Sequence, residues 1–130
     1  MLKTEIEISG MTKAKYNSRI KETLDSILLE LPEVTSGKMF GYPAYYVRKR
    51  LFACVYEDGI GIKVPEDLAK ELIGTQGIIN FQPMGRAKMR EWIQINRENP
   101  SDYYKDKEIL KASIEYVSKN AKQESSKSKR

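Results

Sequence analysis

Histidine is absent from the 130 residues of this chain, and cysteine occurs once. The first absence removes the side chain whose ordinary pKa lies near neutrality, and with it every catalytic triad built on imidazole. A single cysteine leaves no disulfide within the chain, and the two absences together exclude zinc sites of the Cys/His type. Long apolar runs are missing as well: none approaches the roughly 18 residues that span a membrane. The N-terminal Met1-Leu-Lys-Thr-Glu-Ile-Glu-Ile-Ser-Gly10 alternates charge with aliphatics and has no apolar signal-peptide core. A lone cysteine without an export signal points to the cytoplasm.

What remains is ordinary for a folded domain: 40% hydrophobic and 32% charged residues, with eight Tyr, three Phe and one Trp. A chain of this length fits one domain with a real core. Its net charge of +5 hints at an anionic partner, but the charge is unevenly placed. Lys119, Lys122, Lys127, Lys129 and Arg130 against Glu124 put +4 of it in the last twelve residues, which leaves 18 basic and 17 acidic groups over residues 1–118. The expected organisation is an N-terminal arm over residues 1–11, a domain over 12–120 and a disordered basic tail over 121–130.

Periodicity sets the expected order of elements. Ile20, Leu24, Ile27, Leu28 and Leu31 fall on one stripe of a helix over residues 12–31, which Pro32 stops. From Gly37 to Val64 the period moves toward two. Ala44–Val47 and Leu51–Tyr56 read as a hairpin joined by Arg48-Lys-Arg50, and Asp58-Gly59 reads as a turn into Ile60–Val64. Pro65-Glu-Asp opens a second helix that Gly74 closes. Ile78–Phe81 and Glu91–Ile95 read as two more strands. Asn99-Pro-Ser-Asp102 caps a last helix carrying Leu110, Ile114 and Val117, which frays near Asn120. The expectation is an α+β fold of order α-β-β-β-α-β-β-α, a mostly antiparallel sheet of about five strands with flanking helices.

The chemistry-bearing residues are sparse. Cys54 lies mid-strand among apolar neighbours and reads as a buried structural thiol. The acid pairs Glu57-Asp58, Glu66-Asp67 and Asp102 with Asp106 each fit a turn or a helix start, and Gly59-x-Gly61 lacks the rest of a phosphate-binding loop. Two basic loops stand out: Arg48, Lys49 and Arg50 at a hairpin tip, and Arg86, Lys88 and Arg90 between the late strands. Brought together, six cations would line an anionic ligand with a steep salt dependence, and Tyr45, Tyr46 and Trp92 would add stacking. The alternative is that both are solvated loop tips, with Arg48–Arg50 guarding a strand edge.

Gly37-Lys-Met-Phe-Gly41, Tyr45-Tyr-Val47, Leu51-Phe-Ala53, Asp58-Gly59, Ile62-Lys-Val64, Phe81, Pro83-Met84, Met89 and Trp92-Ile93 together resemble the N-terminal domain of the TfoX/Sxy competence regulators. The resemblance runs from about residue 17 to 120. It implies a secretion-chaperone-like α+β domain in a bacterial cytoplasm, tied to transcriptional control of competence genes, with no catalytic residues to carry over. Longer members carry a second, C-terminal domain. The hairpin turn, often Asn/Asp-Gly-Lys in such domains, is Arg48-Lys-Arg50 here. The shared positions read as fold determinants, with Phe40 and Phe52 in the core and Gly41 and Gly59 as backbone requirements.

The resulting expectation is a non-enzymatic regulatory or adaptor domain with a protein partner, without cofactor, metal or membrane. Nucleic-acid binding through the six basic residues and the tail is the first alternative. A small-molecule enzyme using a perturbed carboxylate or lysine is the second.

Overall fold

A computed structural model of the chain describes residues 14–128, with side chains described as far as Asn120. The expected N-terminal arm, residues 1–11, lies outside the described residues. The first helix, α1, spans Ser18–Leu28 and buries Ile20, Leu24, Ile27 and Leu28. It starts later than its apolar spacing suggests because Asn17 caps it, its Oδ1 accepting the Arg19 N–H at 2.9 Å. The residues just before it are held in extended pairing. The Glu57 N–H donates to the Lys15 carbonyl at 2.9 Å, and the Asn17 N–H donates to the Glu57 carbonyl at 3.0 Å.

Then follow β1 (Val34–Met39), β2 (Tyr42–Val47), β3 (Arg50–Tyr56), β4 (Gly59–Lys63), α2 (Glu66–Leu72), β5 (Ile78–Asn80), β6 (Trp92–Ile95) and α3 (Lys107–Ser128). The strands form one antiparallel sheet in the order β1-β2-β3-β4-β6-β5. The fold is α+β, with the strands grouped in hairpins and the helices flanking them, as the sequence indicates. The strand that periodicity does not single out is β1, an edge strand whose only buried residue is Val34. An alternating pattern has little to show where one side chain in six is buried.

Further boundaries differ from the expected ones. The β3–β4 turn is Glu57-Asp58 rather than Asp58-Gly59, because Gly59 is already paired with Tyr56. Gly59 is required by close approach instead of by the turn: a Cβ there would run into the Asn96 side chain. The last helix is capped as expected, the Asn99 N–H donating to Asp102 Oδ2 at 3.1 Å. Its first turns, Pro100–Asp106, wind as a 3-10 helix before α3 begins. The α3 backbone continues to Ser128, past the fray expected near Asn120, through Ala121, Lys122, Gln123 and Glu124, all good helix formers.

The hairpin β2–β3 carries a bulge. Tyr45 opposes Ala53 and Tyr46 opposes Leu51, so Phe52 is the extra residue. The bulge turns Phe52 and Ala53 to the same face, where they join α1, α3 and Tyr45 in the main core. The buried Ser113 hydroxyl of α3 donates to the Phe52 carbonyl at 3.4 Å, so the hydroxyl is satisfied inside the core.

All three helices pack on one face of the sheet. The other face is covered by the connection between β5 and β6. There Tyr42, Tyr56, Phe81 and Trp92 form a continuous aromatic row, with ring centroids 4.8, 5.6 and 5.6 Å apart. Phe81 lies flat against Gly61, where a Cβ would sit 2.7 Å from the ring. Gly61 is therefore glycine because Phe81 occupies the space a side chain would need.

Candidate functional site

The conventional catalytic candidates are absorbed by the fold. Cys54 is fully buried, and burial pushes its thiol up to about 12, only partly offset by a hydrogen bond from the Gly61 backbone. Because only the thiolate attacks, a shift from 9.0 to about 12 makes the native thiol about a thousandfold slower than the urea-unfolded one toward a disulfide reagent near neutral pH. Comparable rates in the two states would contradict its burial. Burial likewise pushes Tyr103 up to about 12. Both groups hold their protons more tightly when folded. Their contribution to stability is whole below about pH 9 and is lost as the pH rises toward 12. Urea midpoints measured at rising pH are expected to decline over that window, and Cys54→Ala is expected to delay the onset.

The acids have structural work. Asp106 is buried and holds Arg97, Asp102 closes the cap on Asn99, and Glu66 opens α2 and pairs with Lys70 at 3.6 Å. Among the described residues, no group of three His, Cys, Asp or Glu is placed to hold a metal ion. No helix among them is long and apolar enough to cross a membrane.

The six basic residues are all exposed. The strand register places both loops at one end of the sheet, where β2 ends, β3 begins, β4 ends and β6 begins. Only β4 lies between β3 and β6. However, α2 leaves from that same end and separates the loops into two grooves. Arg48 lines one of about 820 Å³ with Lys119, Glu33, Glu115, Pro65 and Leu68. Lys88 and Arg90 line another of about 170 Å³ with Lys70, Glu66, Ala69 and Ile73. Arg86 lines neither. The turn between β2 and β3 is Arg48-Lys49 alone, both in the left-handed region at φ 51° and 65°, and Arg50 is already the first residue of β3.

The stacking candidates divide by face. Tyr45 points into the helical core, and its hydroxyl donates to Asp25 Oδ1 at 2.6 Å, so its ring is unavailable to a ligand. Asp25 also accepts from Lys21 at 2.7 Å. Tyr46 lies on the opposite face, its ring against Gly37 and its hydroxyl donating to the Lys38 carbonyl at 3.0 Å. Trp92 ends the aromatic row against Phe81.

The opposite end of the sheet overturns one expectation. Phe40, expected in the core, is 69% exposed. It occupies the β1–β2 turn with Gly41, at φ 50° and 87°, where a side chain projects from the hairpin tip instead of from a pleat. Met84 is 52% exposed and also left-handed, at φ 55°. Glu57, at φ 52°, is left-handed in the β3–β4 turn at this end, whereas Met84 belongs to the β5–β6 connection that also carries Arg86, Lys88 and Arg90. Excluding the Arg48-Lys49 turn, these are all the non-glycine residues of positive φ among the described residues.

Short contacts fix each of these turns against its own neighbours. Gly41 adjoins Ala14, and Lys15 and Asn17 pair with Glu57. The Met84 N–H donates to the Tyr56 hydroxyl at 2.8 Å, and Tyr56 stacks on Tyr42 beside Gly41. Lys15, Tyr16, Glu57 and Asp58 line a groove of about 270 Å³, to which neither Phe40 nor Met84 contributes. The sequence carries one signal for Phe40, the glycine that follows it, but without β1 recognised as a strand that glycine does not mark a hairpin turn.

A family model, that of the TfoX N-terminal domain, matches residues 26–118. The chain belongs to the TfoX N-terminal domain family. The match covers both basic loops and both apolar turns of the TfoX domain, together with its whole sheet. No curated protein and no solved structure matches it. The two segments that most clearly carry the family resemblance split by role in the TfoX domain. Gly41, Phe81 and Pro83 serve the fold, whereas Phe40 and Met84 face solvent.

Proposed function

We propose that this TfoX domain is a non-enzymatic regulatory or adaptor module of a bacterial cytoplasm, acting in transcriptional control of competence genes through contacts with a protein partner. Its family membership supports a regulatory role. The observation that carries the protein-contact reading is the display of Phe40 and Met84. Each holds a large apolar side chain in water on a backbone conformation that costs about 1–3 kcal/mol for a residue other than glycine. A solvated turn needs neither the apolar side chain nor the strain, whereas an interface anchor uses such a side chain. The test is photo-crosslinking in the native host from the full chain, with the reactive residue placed in turn at Phe40, Met84 and Arg48. A discrete protein adduct from at least one position is expected, and no protein adduct from any of them overturns the reading.

Direct nucleic-acid binding is the second reading, favoured by the exit of both basic loops from one end of the sheet. Neutralising several phosphates would give a steep salt dependence. In a gel-shift titration, Arg48→Ala and Arg86→Ala would each weaken binding and flatten the salt slope. Binding unchanged by both, and lost on removal of residues 119–130, would assign it to the tail.

A further inference from the structure

Lys70, Lys88 and Arg90 stand around the small groove between α2 and the β5–β6 connection, together with the apolar residues Ala69, Ile73 and Met89. We propose that this groove is where the protein partner docks, and that the partner inserts one apolar side chain flanked by aspartate or glutamate. The inference rests on the protein-contact reading and gives it a place and a partner chemistry. The connection that supplies Lys88, Met89 and Arg90 is also the one that displays Met84.

The size of the groove suits one side chain. At about 170 Å³ it falls short of the roughly 300 Å³ at which pockets for small molecules begin. Ala69 is buried, Ile73 and Met89 are half-buried and the three cations are exposed, which gives an apolar floor under a basic rim. The period of α2 and its cap builds one wall. Glu66, Ala69, Lys70 and Ile73 recur on one face, while Asp67 and Glu71 fall on others and do not line the groove. The positive charge is uncompensated. Among the described residues neither Lys88 nor Arg90 is held in a salt bridge. Glu66, the one carboxylate among the described lining residues, pairs with Lys70 in an exposed contact of little strength. Glu91, next to Arg90 in the chain, is turned to Lys63 and to the Tyr116 hydroxyl of α3. Acidic flanks on the partner complement this rim. None of the described lining residues is aromatic, so the groove offers no platform on which a nucleic-acid base would stack, whereas its floor suits an apolar anchor.

The probe is a short synthetic peptide with one leucine between glutamates, titrated into the isotopically labelled full chain. It is expected to move the amides of Lys70, Ile73, Lys88, Met89 and Arg90. About a tenfold loss of affinity is expected when serine replaces the leucine, when lysine replaces the glutamates, and for the double variant Lys88→Gln, Arg90→Gln. Both side chains of that variant are exposed and outside the core, so its thermal melt should match that of the parent chain. Equal binding of the serine or the lysine peptide, shifts confined to the groove of Arg48, Leu68 and Tyr116, or no shift at all would overturn the assignment. A single-stranded oligonucleotide that moves the same amides and displaces the peptide would assign the groove to nucleic acid and overturn it as well. For the crosslinking experiment, Lys88 joins the three positions above. Protein adducts from Phe40, Met84 or Arg48 with none from Lys88 sink this site alone, and the absence of any protein adduct sinks the reading beneath it.

Discussion

Asp106→Ala is expected to destabilise the domain by about 3–5 kcal/mol, a large part of the roughly 5–15 kcal/mol that holds a small domain together. Asp106 is 4% exposed and accepts two hydrogen bonds from Arg97, from Nε at 3.0 Å and from Nη2 at 2.7 Å. Arg97 also reaches the opposite way, its Nη1 donating to the Gln76 carbonyl at 2.7 Å. One guanidinium thus joins the turn before β5, the exit of β6 and the last turn before α3. The neighbouring Tyr103 hydroxyl donates to the Ile95 carbonyl at 2.9 Å and accepts the Arg97 N–H at 3.2 Å. Deleting the carboxylate leaves a largely buried cation without its counter-charge, which costs more than the pair itself contributes. The double variant Arg97→Met, Asp106→Leu should therefore recover most of the loss, because no orphan charge remains. Urea denaturation of the two variants measures the difference, and a single-variant loss below about 1 kcal/mol would show the pair to be solvated.

Phe81→Ala is the second large effect, at about 3–5 kcal/mol. Phe81 is 1% exposed and sits between Tyr56 and Trp92, pinned over Gly61. The cavity left by its ring has no Cβ beneath to fill it. Gly61→Ala alone is expected to cost about 1–3 kcal/mol by forcing the ring outward. Because the two positions compete for one space, the double variant should cost clearly less than the two single losses together. Additive losses in urea melts would mean that the ring does not rest on Gly61. Removing Phe81 also loosens the support of Tyr56, the residue that fixes Met84, so it should weaken partner binding beyond its effect on stability.

Much of the scaffold was legible in the chain. The α1 stripe, the hairpins, the proline opening α2 and the Asn99–Asp102 cap are local signals, and local physics decides them. The features that escaped depend on partners distant in sequence. Nothing in Leu51-Phe-Ala-Cys announces a bulge at Phe52, since the bulge is defined by the register against Tyr45 and Tyr46. Asp58-Gly59 resembles a hairpin turn until Asn96, 37 positions beyond Gly59 in the sequence, makes glycine necessary for another reason. The six basic residues were legible as exposed loops, but their division by α2 follows from strand order. Phe40 was misplaced for a plainer reason: an aromatic residue beside a strand reads as core, and only its position in the turn directs it outward.

The thermal melt of Phe40→Asn tests most directly whether this end of the sheet is built for display. If Phe40 contributes nothing to the core and carries left-handed strain, Asn-Gly should suit the turn better. The melting temperature should then stay level or rise by a few degrees, a gain of about 1 kcal/mol. A loss of about 3 kcal/mol or more, the usual cost of removing a buried phenylalanine, would place Phe40 back in the core and contradict the account.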